Sequence, residues 1–211
     1  MKRPERSATG VELFATILLA LAAVATAWCS YQATRWNGEQ AKAGAAASAA
    51  RFQAARAADL ANSQTEVDVA TFSQWVNAYA RDETKLADFY RARFRPEFVP
   101  AVDAWIATKP LVNSDAPLTP FRMPQYKLAA SADADRLDKQ AEVLAADVRA
   151  DIQLASNYVL GVVLCAVSLF FAGMSTKLRS PPLQIALLVL GGVVFIGTLG
   201  WLATFPVSLS V

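Results

Sequence analysis

"VELFATILLALAAVATAWCSYQATRWNGEQAKAGAAASAARFQAARAADLA", residues Val11 to Ala61, decides how the rest of the chain is read. Its first part, Val11–Tyr31, is an apolar run long enough to cross the hydrocarbon core of a bilayer, for which about 20 residues of helix suffice. Its last part, from Glu39 to Ala61, is roughly half alanine. Helical spacing passes from one part into the other without a break. Heptad counting from Ala33 places Ala33, Trp36, Gln40, Ala43, Ala47, Ala50, Ala54, Ala57, Ala61 and Gln64 at the inward positions. Such a seam of small residues predicts a close helix contact. Ala43, Ala47, Ala50, Ala54, Ala57 and Ala61 are therefore candidate interaction residues, with alanine's helix propensity as the plainer reason for their presence.

Two further stretches pass the span test: Tyr158–Met174, lengthened by the helical pattern before it, and Leu183–Phe205, preceded by Pro181 and Pro182 where a first helical turn tolerates proline. The first span follows a box-like start at Thr9-Gly10-Val11-Glu12 and ends among the interfacial aromatics Trp28, Tyr31 and Trp36. A cleaved signal peptide is the rival reading, since a basic start precedes an apolar centre with Ala25 and Ala27 before Trp28. Against it stands the helical pattern that runs through the supposed cleavage point. A lipoprotein site is disfavoured because bulky Trp28 precedes Cys29.

Composition agrees with membrane insertion. Of the 211 residues 55% are hydrophobic, above the roughly 45–50% of soluble domains. A net charge of +2, with Lys2, Arg3 and Arg6 crowded at the start, gives no electrostatic preference for nucleic acid. The two cysteines, Cys29 and Cys165, fall in or beside apolar runs, so the polar middle holds no disulfide framework. Lys177 and Arg179 in the short loop "STKLRSPP" join the basic tail in placing both on the cytoplasmic side; Arg35, Lys42 and Arg149 oppose them.

The expected layout is a cytoplasmic tail at 1–10, spans at 11–31, 158–174 and 183–205, an extracytoplasmic helical domain at 32–157, a cytoplasmic loop at 175–182 and an extracytoplasmic C-terminus at 206–211. The fold class is an all-α membrane protein in which spans one and two extend into an extracytoplasmic helical hairpin, capped by short helices and a proline-rich strap. The returning arm is the series Leu137, Ala141, Leu144, Val148, Ile152 and Ala155. At the tip, helical spacing runs through Phe72, Val76 and Tyr79, restarts after Asp82 as a candidate N-cap, and restarts again after Pro96. "TKPLVNSDAPLTPFRMPQ" is too rich in proline for helix and reads as an ordered strap, with Leu111, Val112, Leu118, Phe121 and Met123 laid against the helices.

The chain has no histidine, and no Gly-rich phosphate loop, CxxC pair or Gly-x-Ser-x-Gly elbow. No catalytic residue, cofactor site or metal site is expected, and the chain reads as a non-enzyme. Asp133, Asp135 and Asp138 suggest a cation site, but acids near a helix start are expected from the helix dipole. "FYRARFRPEF" interleaves Arg91, Arg93 and Arg95 with aromatics, reading as an amphipathic structural helix or as a partner or lipid-headgroup contact. Central charges are absent from the spans, which argues against an ion-coupled transporter. Ala15, Ala22, Thr26 and Cys29 on span one and Gly192, Gly197 and Gly200 on span three favour self-association in lipid.

One span with "AAVATAWCSYQATRWNGEQA", a long helical middle, then two closely spaced spans joined by "FFAGMSTKLRS", resembles the bacterial three-span membrane proteins grouped as a domain of unknown function, the 4337 type. This chain departs from them in its longer, more proline-rich middle. The resemblance implies a bacterial inner-membrane setting and supplies no activity. Expected partners are the bilayer and either a second copy or a larger membrane complex, without nucleic acid. The functional expectation is an assembly or interaction subunit acting through the extracytoplasmic domain, with a homo-oligomeric channel lined by small or polar positions of spans one or three as the alternative.

Overall fold

The computed structural model describes residues 5–208, with side chains from Gly10 onward. The tail residues Lys2 and Arg3, the side chain of Arg6 and the terminal residues 209–211 lie outside that range. Five α-helices carry the described chain: α1 (Glu5–Ala80), α2 (Thr84–Arg91), α3 (Val99–Ala107), α4 (Ala129–Ser175) and α5 (Pro181–Leu202). A single 3-10 turn lies at Pro120–Arg122, and there is no strand among the described residues. Helices α1, α4 and α5 are each long and apolar enough to cross a membrane, the architecture of a multi-pass membrane protein.

The chain divides into two compact units, the first holding residues up to Ala45 and from Leu144 onward, the second Ala46–Val143. In the first, Ala15, Leu18 and Ala22 of α1 are buried with Cys165 and Ala172 of α4 and Leu188 and Phe195 of α5. The contacts are tight because the residues at them are small. A Cβ on Gly191 would stand 3.2 Å from both Phe171 Cβ and the Ser168 carbonyl, so α5 meets α4 as closely as a glycine permits. Phe14, Val24, Phe170, Val193 and Ile196 point away from this core and are exposed, an arrangement that suits lipid chains and not water. The hydroxyls of Thr16, Thr26, Ser168 and Thr198 each donate to the carbonyl four residues back on their own helix.

Three boundaries differ from the sequence reading. Helix α1 already runs from Glu5, so the Thr9–Glu12 box lies within a helix and starts none. Helix α5 stops at Leu202, short of Phe205. Pro206 removes a backbone donor and restricts the residue before it, which turns the chain out of the helix. At the tip of the second unit Asp82 is not a cap: it adopts a left-handed conformation (φ 58°), its carbonyl accepts from Thr84 N at 3.0 Å, and Glu83 is the N-cap of α2.

In the second unit Ala47, Ala50, Ala54 and Ala61 of α1 are buried, with Ala130 and Ala141 of α4. Ala54 and Ala58 line the same groove as Ala134 and Asp138, so both helices contribute to one surface. The 3-4 spacing of α1 then changes its residue size. Phe72 and Trp75 replace alanine and open a wider core shared with Ala87 of α2, Phe94, Phe98, and Val102 and Trp105 of α3. In the first unit the inward series of α4 keeps Val148 beside Gly44 and buries Ala155. Ile152, expected inward, is exposed, and Asp151 takes that step.

Candidate interaction site

The aromatic core of the second unit is built from pairs with the offset and edge geometries that π-systems prefer. Trp75 stacks on Tyr79 at 4.7 Å between centroids, Phe98 stacks on Phe121 at 5.1 Å, and Phe72 meets Trp105 edge-on at 5.4 Å. Phe121 and Met123, from the proline-rich segment, pack against this core as expected. Leu111, Val112 and Leu118 do not: they are 59%, 84% and 80% exposed.

That exposure is held in a fixed loop. The indole Nε1 of Trp105 donates to the Pro117 carbonyl at 2.6 Å, tying the far side of the loop to α3. Asn113 Nδ2 donates to the Thr108 carbonyl and its Oδ1 accepts from Asp115 N, both at 3.0 Å. Lys109, at φ 55°, makes the turn between them, a conformation that costs a residue with a Cβ about 1–2 kcal/mol.

A polar cluster borders the same core. Asp68 is wholly buried, with Arg95 Nε 3.5 Å from its carboxylate. The Tyr126 hydroxyl lies 3.2 Å from both Asp68 Oδ2 and Thr65 Oγ1, and its one proton is better spent on the carboxylate. Burial pushes the Asp68 carboxyl above its ordinary range; Arg95 and the Tyr126 bond pull it down without cancelling that effect, and Glu97 adds a smaller upward push. Burial likewise raises the Tyr126 phenol. Asp68 did not enter the sequence reading, although it is the next inward step, four residues after Gln64, in the same heptad count.

The sequence candidates take these places. Ala47, Ala50, Ala54 and Ala61 are buried inside the second unit, Ala57 is half-buried there, and Ala43 is half-buried in the first. Arg91 pairs with Asp103. Arg93 lies 3.4 Å over the Phe89 ring and donates to the Phe89 carbonyl at 2.7 Å. Arg95 pairs with Asp68 and Glu97. Each arginine thus has a partner within its own chain. Arg136 engages Asp133, and no group of acids, cysteines or histidines placed to hold a metal occurs among the described residues.

In the first unit, Ser208 N donates to Gln32 Oε1 at 3.0 Å, Gln32 Nε2 returns a bond to the Ser208 carbonyl at 3.4 Å, and the Tyr158 hydroxyl donates to the Pro206 carbonyl at 3.1 Å. Gln32 and Tyr158 are almost wholly buried. They pin the tail that follows α5 and satisfy backbone groups that would otherwise be stranded beside the spans. Burial raises the Asp151 carboxyl, with Asp147 and Glu39 adding to the effect.

Fold and sites together define an all-helical, multi-pass membrane protein with a second unit built on an aromatic core. No family model, no curated protein and no solved structure matches the chain.

Proposed function

We propose that the chain is a non-enzymatic assembly subunit of a bacterial inner membrane, which docks a protein partner through the 109–118 loop of its second unit. In this reading the N-terminal tail and the 175–182 loop are cytoplasmic, a placement resting on Lys177 and Arg179. The second unit then stands outside the membrane as a helical hairpin of α1 and α4, capped by α2, α3 and the proline-rich strap. The likeness of layout to the 4337-type three-span proteins supplies the bacterial setting.

One observation carries the docking: Leu111, Val112 and Leu118 are exposed although their loop is ordered by the Trp105–Pro117 bond and the Asn113 turn. Apolar side chains held out by a rigid loop lose little conformational freedom when a partner covers them. The partner that fits is a second copy of the chain. On α5, Gly192, Gly197 and Gly200 have open space where a Cβ would stand, so a neighbouring helix can approach closely in lipid.

Mass measurement in mild detergent tests the proposal, comparing the wild-type protein with a Val112→Asp, Leu118→Asp variant. A dimer or larger assembly that the variant loses is expected. A strictly monomeric wild-type particle with no co-purifying protein would overturn it. A different protein, retained by wild type and lost by the variant, would keep the docking loop and replace the second copy.

A further inference from the structure

Cys29 on α1 and Cys165 on α4 are both wholly buried in the first unit, and neither is bridged. Each sulfur is set among small residues of the opposite helix. A Cβ on Gly161 would stand 3.2 Å from Cys29 Sγ, so α4 interposes no side chain of its own at that turn. Cys165 lies one turn further along α4 on the same face. Its thiol is within hydrogen-bonding reach of the Cys29 thiol and of the Thr26 hydroxyl, which stand nearly one turn apart on α1. Cys29 thus sits between Gly161 and Cys165, and Cys165 between Thr26 and Cys29. Only helices in close contact interleave in this way. A disulfide requires that closeness, since its two Cα atoms stand about 4.4–6.8 Å apart.

We infer that Cys29 and Cys165 are a disulfide-forming pair that staples α1 to α4 inside the bilayer. They are the only cysteines in the chain, so one intramolecular pairing exists. Burial keeps water-borne oxidants from both sulfurs, and the co-reactant is therefore a small apolar disulfide carried in the lipid. Cys29 borders the apolar groove between α1 and α5, which gives such a molecule its way in. One protein thiol gives up its proton and attacks a sulfur of the reagent; a mixed disulfide forms, and half of the reagent leaves as a thiol carrying that proton. The second protein sulfur then attacks the first, the other half of the reagent leaves as a thiol with the second proton, and the Cys29–Cys165 bond remains. Two thiols are oxidised and one disulfide is reduced. Residues Ala46–Val143 all lie between the two cysteines in sequence, so the bond closes a long loop and removes much of the unfolded chain's freedom.

The test treats the full chain, purified in mild detergent, with dipyridyl disulfide, an apolar probe whose released thiopyridone is followed by absorbance. Wild type should release two thiopyridones per chain, the second without a build-up of mixed disulfide. Mass spectrometry should find a single chain lacking two hydrogens, with the peptides around Cys29 and Cys165 joined. The bonded chain should melt about 5–15 °C above the reduced one, and dithiothreitol should reverse both changes. Cys165→Ser should stop at the mixed disulfide after one thiopyridone. Far-ultraviolet circular dichroism identifies a serine variant that fails to fold, and Cys165→Ala then takes its place. The product lies within one chain, so the outcome is independent of whether the protein self-associates. A wild-type chain that ends with a pyridyl group on each cysteine, that is joined to a second copy through them, that reacts only after denaturation, or whose bonded form melts no higher than the reduced one would overturn the proposal.

Discussion

Replacing Arg95 by methionine keeps most of the stem and removes the cation beside Asp68. In the intact protein the wholly buried carboxylate has two supports, Arg95 Nε at 3.5 Å and the Tyr126 hydroxyl at 3.2 Å. Even so its carboxyl stands above the ordinary range, because desolvation outweighs both. Without Arg95 the charge keeps one hydrogen bond. Removing one member of a buried pair costs about 3–5 kcal/mol. Since the Arg95 side chain is 18% exposed, the lower end, about 3 kcal/mol, is expected for the second unit at neutral pH. At about 4–8 °C per kcal/mol for a unit of this size, melting falls by roughly 10 to 25 °C. Asp68→Asn keeps an acceptor for Tyr126 and carries no charge, so it should stay within about 1 kcal/mol of wild type and restore most of the loss when combined with Arg95→Met.

The pH dependence separates this account from simple loss of packing. A native carboxyl above its ordinary value of 3.8 binds a proton more tightly than the unfolded chain does. Its contribution to stability is complete below that ordinary value and is lost as pH rises through the native one. Wild type should therefore gain stability on acidification through that window, with Arg95, Tyr126 and Glu97 the groups facing the carboxyl. Arg95→Met removes a downward influence, so its rescue by acid should begin at higher pH. Asp68→Asn should remove this part of the pH dependence. Thermal melting of the full chain in mild detergent, followed by near-ultraviolet circular dichroism with Trp28, Trp36 and Trp201 replaced by phenylalanine, leaves Trp75 and Trp105 to report on the unit that contains both. An Arg95→Met protein that melts with wild type at every pH, or an Asp68→Asn protein as unstable as Arg95→Met, would refute the reasoning.

Three further outcomes are expected. Trp105→Phe removes the donor to Pro117, costs about 1–3 kcal/mol if that carbonyl stays buried, and should raise the rate of limited proteolysis within 109–118. Ala54→Leu overfills the seam shared with α4 and should cost about 1–3 kcal/mol, seen as faster amide exchange in 47–61 and 130–141. Gly191→Val forces a Cβ into contacts of 3.2 Å with Phe171 and Ser168, whereas Gly192→Val meets open space; detergent melting should fall for the first and hold for the second.

The spans were legible because their signal is long, local and redundant: some 20 apolar residues survive errors at either end. The alanine face was legible for a related reason, since its period repeats over several heptads. What escaped the sequence depended on single residues or on contacts remote along the chain. Ile152 and Asp151 differ by one helical step of about 100°, and the unbroken 3-4 alternation Ala141, Leu144, Val148, Asp151, Ala155 turns Asp151 inward and Ile152 out. Hydrophobicity favoured the wrong one. The Gln32–Ser208 bond joins residues 176 apart and leaves no periodic trace. Leu111, Val112 and Leu118 were expected inward because they are apolar, but the Trp105–Pro117 bond fixes the backbone in a form that packs Phe121 and leaves them out.

Within the second unit one inward face of α1 serves two kinds of packing, and residue volume is what divides them. From Ala47 to Ala61 the face is alanine, and the helix that shares its groove, α4, presents Ala134 and a further alanine at Ala141 on its own buried face. From Phe72 to Trp75 the face is aromatic, and what it meets are two short helices and the side chains of Phe121, Met123 and Tyr126, none of which offers a continuous ridge. Short elements cannot come close along their whole length, so the space between must be filled by large side chains or left as cavity, at about 24 cal/mol for each Å³. Asp68 stands at the changeover, between Ala61 and Phe72. A carboxylate there accepts from Tyr126 and pairs with Arg95 between α2 and α3, tying both to α1. These two directional contacts join α1 to Tyr126 and to the segment between α2 and α3, which a leucine at the same position would not do.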